Sequence, residues 1–77
     1  PESDIIPLPR ISVAERSDEL RRLLARNRLL DLHRVFADCA SKSDRVITFL
    51  AVLDILRHGS ARVRQETAFA VITLEAA

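Results

Sequence analysis

One cysteine, one glycine, two histidines and no tryptophan, tyrosine or methionine in 77 residues exclude several kinds of protein before any pattern is read. A lone Cys39 makes no internal disulfide, so the fold stands without a covalent staple, as expected of a reducing compartment, with the cytoplasm as the default. A single glycine, Gly59, leaves no glycine-rich loop to cradle a phosphate. Two histidines with one cysteine do not assemble a zinc site, and His33 and Cys39, six residues apart on one expected helix, point to different sides. His58 and Ser60 lack a third orienting group and an oxyanion site, so they read as a helix C-terminus, where a cationic histidine is favoured by the dipole. Asp38, Asp44 and Asp54 read as solvated helix charges. Neither catalysis nor a cofactor is expected. No stretch is long enough to span a membrane, and residues 1–10 have no signal-peptide pattern.

Charge of one sign is missing too. Twelve basic residues face eleven acidic ones along the whole length, with no block resembling a nucleic-acid or membrane-surface tail. A partner is therefore recognised by shape and apolar contact. All but one of the basic residues are arginine, which suits interface pairing, although a GC-rich genome gives the same bias.

What is present is one small domain with a thin core. All three prolines lie in "PESDIIPLPR", an extended leader over residues 1–10 that arrives from something upstream; the chain, beginning at Pro1, is expected to be a fragment. Ser12 and Glu15 form a capping box that starts a first helix near residue 13. Val13, Ser17, Leu20, Leu23 and Leu24 make its inner stripe, with Glu19, Arg22 and Arg26 outward and Asp18 to Arg22 a favourable pair. Leu29 and Leu30 suggest a short strand before Asp31, which caps a brief second helix with Leu32, Val35 and Phe36 inward. Ser41 or Ser43 caps a third helix that runs to His58 and stops at Gly59. "ARVRQE" then alternates as a half-buried strand, and "FAVITLE" has the β-branched character of its hairpin partner, with the turn near Thr67 and Ala68. Three helices followed by a β-hairpin wing, with a possible short strand between helices 1 and 2, is an α+β winged helix over residues 11–77.

Helix 3 poses the main question. Of the thirteen residues Asp44 to Leu56, nine are apolar. At about 100° per residue, Val46, Phe49, Leu50, Val52, Leu53 and Leu56 fill one broad arc, which is expected to face the core. The opposite side carries Asp44, Thr48, Asp54 and His58, interrupted by Ile47, Ala51 and Ile55. Either these are isolated exposed apolar residues of an ordinary kind, or the hairpin or leader folds over that ridge, or the ridge is part of a protein-binding surface. In a DNA-binding winged helix the third helix presents basic and amide side chains to base edges and phosphates. Here the outer face offers Asp54, Ile47 and Ile55, while Arg45 and Arg57 project toward the core arc, which argues against groove insertion.

"VITFLAVLDILRHGSARVRQETAFAVITL", residues 46–74, resembles the C-terminal winged-helix domain of the bacterial kleisin family of segregation and condensation proteins. Thr48, Phe49, Leu50, Ala51, Leu53, Gln65, Phe69 and Ile72 match the family's pattern. "RISVAERSDEL" and "DLHRVF" look like its first two helices, so the likeness runs from Arg10 to Leu74. Ala70 and Val71 depart from it, standing where the family has glycine and an acidic residue; alanine resists the positive φ that glycine permits.

The resemblance implies the C-terminal fragment of a longer, non-catalytic kleisin that docks on the ATPase head of an SMC protein in the complex that condenses and segregates the chromosome. It implies a nucleoid-associated cytoplasmic location, DNA reached only indirectly through the complex, and no membrane partner. The accessory subunit would be recruited by a middle region absent from this chain. Arg62, Arg64 and Ile72 on the wing, with its strand edge, are the first candidates for contacting the head; Ile47, Ala51 and Ile55 are the second. Phe49 and Phe69 are expected in the core. The alternative is a winged-helix DNA-binding domain.

Overall fold

The computed structural model describes residues 11–77, so the leader expected over 1–10 lies outside the described residues. Helix α1 spans Val13–Asn27 and opens on the capping box: Ser12 Oγ accepts from Glu15 N at 3.1 Å, and Glu15 Oε1 accepts from Ser12 N at 3.0 Å. Strand β1 is Leu29–Asp31, as the paired leucines suggested. Asp31 caps α2, Leu32–Ala37, by accepting from the backbone of His33 and Arg34. Ser41, not Ser43, caps α3, Lys42–Arg57, and Gly59 ends it at φ 74°, where a left-handed residue is required. The hairpin is β2, Ala61–Arg64, and β3, Thr73–Ala76. Both strands are shorter than expected, and the turn expected near Thr67 and Ala68 is present over Thr67–Ala70 but sits within a long wing loop, residues 65–72.

The sheet is antiparallel, in the order β1-β3-β2. Leu74 at its centre pairs with Leu30 on one side and Val63 on the other, so these three share a face. Leu74 is fully buried there, and Leu29, Arg62 and Glu75 share the opposite face. The core is small: Leu20 and Leu24 of α1, Ala51, Val52 and Ile55 of α3, Ala61 and Leu74 of the sheet, with Leu30, Val35, Phe36 and others around them. The expected inner stripe of α1 holds, but Asp18 pairs with Arg21 at 3.1 Å rather than with Arg22.

Helix α3 is rotated from the sequence expectation: Val52 is buried and Leu56 half-buried as expected, but the rest of the expected inner arc lies outside. Ala51 and Ile55, expected outward, are completely buried, and Ile47 is half-buried. Val46, Phe49, Leu50 and Leu53, expected inward, are 41, 53, 43 and 46 % exposed. The cause lies in the polar residues on the inner side. Thr48 is fully buried, but its hydroxyl donates to Asp44 O at 2.8 Å and accepts from Arg16 Nη1 at 2.7 Å. Asp44 is held by Arg16 Nη2 at 2.8 Å, and Asp54 lies 3.7 Å from Arg21 Nη2. These aspartates are not the solvated charges expected of them; arginines from α1 partner them, so a polar seam lies inside and the apolar surplus is left outside.

Arg16 is the hub of that seam, also reaching Glu19 Oε1 at 2.9 Å through Nε. Arg16→Ala strips both Thr48 and Asp44 of a partner and is expected to cost about 1–3 kcal/mol in a urea titration. Arg16→Lys keeps the charge but not the fork and is expected to recover only part of the loss.

Candidate interaction surface

Two apolar surfaces stand out. The first is the outward face of α3. Phe36 of α2 leans toward Phe49, with ring centroids 6.4 Å apart, and forms a wall beside Val46 and Leu50. The open groove between them, about 450 Å³, is bordered by Lys42 and Arg45. Farther along α3 the apolar strip continues through Leu53 to Val13 of α1 and ends at Asp54 and Arg57. Arg45 and Arg57 therefore border the exposed face rather than the core.

The second surface is the wing. Phe69, expected in the core, sits at its tip wholly exposed at φ 67°. The positive φ falls on Phe69 itself, not on Ala70, where the glycine of the resembling pattern would stand. The loop holds this conformation by its own bonds: Gln65 Nε2 donates to Ala70 O at 2.9 Å, and Ala70 N to Thr67 O at 3.1 Å. Arg64 clamps Glu66 at 2.7 Å and Glu75 at 3.4 Å; Glu66 first, then Glu75, pushes the Arg64 pKa upward. Val71 and Ile72 are also exposed, and Ile72 O accepts from Leu32 N at 3.1 Å, tying the loop's return to α2. Arg62 is exposed on the outer sheet face, and β2 is an edge strand.

The expected site residues thus divide. Arg62 and Arg64 are exposed on the outer face of β2 and Ile72 is exposed separately in the loop's return, whereas Ala51 and Ile55 are interior packing residues and Ile47 is half-buried. Sequence reasoning missed Phe69 and the strip Val46, Phe49, Leu50 and Leu53. The signal was present in a helix apolar on all sides: whichever arc goes inside, the other must show.

Among the described residues no three His, Cys, Asp or Glu side chains gather as a metal would require, and no described helix is long and apolar enough to cross a membrane. Asp54 is structural. The buried Ser17 hydroxyl does most to lower its carboxyl below the ordinary value of 3.8, with the charges of His58 and Arg57 adding. Among the described residues Ser17 Oγ has no other hydrogen-bond partner, so its hydroxyl is free to turn its O–H toward that carboxylate. A carboxyl lowered in the folded state contributes stability above its unfolded value and loses it as pH falls through the folded one. Stability is therefore expected to drop below pH 3.8, and Asp54→Asn is expected to flatten that acid limb in urea midpoints measured against pH.

Helices packed on one side of an antiparallel sheet, with a long loop joining its last two strands, make this an α+β winged-helix domain. Over 70 residues, 91% of its length, the chain is 29% identical to segregation and condensation protein A of Clostridium tetani (strain Massachusetts / E88). The match lies in the C-terminal region of that protein, and the chain spans 28% of its length. The likeness read from residues 10–74 is thus to this protein. No family model and no solved structure matches the chain.

Proposed function

We propose that this domain is a non-catalytic interaction module that docks a kleisin-type subunit onto the ATPase head of an SMC protein, within an assembly for chromosome condensation and segregation. The relative's name supports the chromosomal role. The single observation that carries the docking is Phe69, presented bare at the wing tip by a loop whose hydrogen bonds fix it there. Beside it in the loop, Val71 lines a shallow apolar depression with Leu29 and Ala70, bordered by Arg64 and Glu66; Ile72 and Arg62 are exposed on the same wing, and the open edge of β2 is a template for a strand of the partner. A kleisin fragment of this kind grips one head only. The accessory subunit would bind elsewhere in the longer protein, and DNA would be reached through the complex, in the cytoplasm at the nucleoid.

The direct test is co-purification with the matching SMC head. Capture is expected, and Ile72→Asp is expected to weaken it while circular dichroism stays unchanged. No capture by the wild-type domain would refute the proposal. Ile55 has no place in this test, because its side chain is part of the core.

A second reading, DNA binding, draws on Lys42, Arg45 and Arg57 bordering the outer face of α3. Between them lie Val46, Phe49, Leu50 and Leu53, which would be pressed against phosphates without forming hydrogen bonds. Duplex affinity that falls steeply with salt would favour DNA; head capture that persists as salt rises favours the module.

A further inference from the structure

We propose that the outward face of α3 is a second docking groove, separate from the wing, that takes an acidic amphipathic helix of a partner protein. Its floor is Val46, Phe49, Leu50 and Leu53, all at least two-fifths exposed, and Phe36 forms one wall. Val46, Leu50 and Leu53 stand at i, i+4 and i+7, a strip about 10 Å long that matches two turns of an opposing helix with the same spacing. The groove shares no residue with the Phe69 tip.

Charge selects the occupant. Lys42 and Arg45 border one end of the groove and Arg57 the other. The carboxylate at that border, Asp54, is already engaged by Arg21, Arg57 and His58. Lys42 and Arg45 have no ion-pair partner among the described residues, so the groove offers open positive charge on an apolar bed. A second copy of the chain laid antiparallel would bring Lys42 and Arg45 against Arg57, like against like. Nucleic acid would meet an aliphatic centre. A helix with three apolar anchors flanked by Asp and Glu satisfies both the bed and the border.

The test uses the 77-residue chain and a designed helical peptide of about 18 residues, with Leu at i, i+4 and i+7 and Glu on the flanks, alongside the same peptide with Lys in place of Glu. Fluorescence anisotropy is expected to show the Glu peptide binding at least about tenfold more tightly than the Lys peptide. Leu50→Asp and Arg45→Glu are each expected to weaken it about tenfold with circular dichroism unchanged, while Phe69→Asp leaves it unaffected. Equal binding of the two peptides, no binding of either, or indifference to Leu50→Asp would overturn the proposal. So would a free chain that sediments as a dimer dissolved by Leu50→Asp, or Glu-peptide binding that appears only once residues 1–10 are deleted. Head capture through the wing is scored separately, so the two readings fail independently.

Discussion

Ile55→Ala is expected to destabilise the domain by about 2–5 kcal/mol, whereas Phe49→Ala, earlier on the same helix, is expected to cost about 1 kcal/mol or less. The larger side chain is the cheaper loss because burial, not size, sets the cost. Ile55 is wholly enclosed by α1 and the sheet, and its truncation leaves a cavity. Phe49 is 53 % exposed and touches Phe36 at a surface groove. A domain of this length has a total stability of about 4–12 kcal/mol, so Ile55→Ala removes a large fraction of it. Urea titrations followed by circular dichroism give both values. The opposite ranking would mean that α3 faces the core with the other arc.

Phe69→Gly is expected to reduce capture of an SMC head by about 30-fold or more while leaving the domain as stable as before, or more stable by up to about 1 kcal/mol. The two effects have separate origins. A bulky aromatic at φ 67° holds its backbone where glycine sits without penalty, and the wholly exposed side chain contributes nothing to the core that would offset this. Strain kept on an exposed aromatic is understandable if the ring is needed outside, as the anchor that fills a pocket in a partner. Phe69→Ala removes the ring and keeps most of the strain, so it should lose capture without gaining stability. Capture measured on immobilised SMC head, beside thermal melts of the same variants, separates these outcomes. Undiminished capture by both variants would remove the wing tip from the interface.

Much of the fold is legible in the sequence because local chemistry decides it. Ser12 with Glu15, Asp31, Ser41 and Gly59 start or stop helices through bonds or backbone angles that each residue supplies itself. Leu29 and Leu30 suggest a strand only as a short apolar run, and what makes β1 part of the sheet is a register with β3 some forty residues away. The wing was harder to read. "FAVITLE" has strand composition throughout, yet its first residues belong to a loop held by Gln65 and by the Arg64 clamp, contacts that composition does not report.

The rotation of α3 was not legible for a more instructive reason. A helix apolar on every side carries almost no directional bias, so the few polar residues decide the reading, and they point the wrong way here. Thr48, Asp44 and Asp54 look like a solvent face until Arg16 and Arg21 of α1 are seen to meet them. Arginines five residues apart on the neighbouring helix were the available signal, and only a pairing of α1 with α3 converts it into an orientation. The surplus of apolar surface does lie on this helix, and Val52 and Leu56 face inward as expected, but Val46, Phe49, Leu50 and Leu53 form the outer side in place of Ala51 and Ile55, with Ile47 half-buried.

The most direct measurement of that orientation is thiol labelling of two variants in a Cys39→Ser background, Leu50→Cys and Ile55→Cys, under native conditions. The cysteine at position 50 should react at the rate of an open thiol, and the one at 55 on the order of a hundredfold more slowly, only through unfolding. Comparable fast rates at both positions, or protection at 50 with free reaction at 55, would contradict an α3 whose outward face is the one left for a partner.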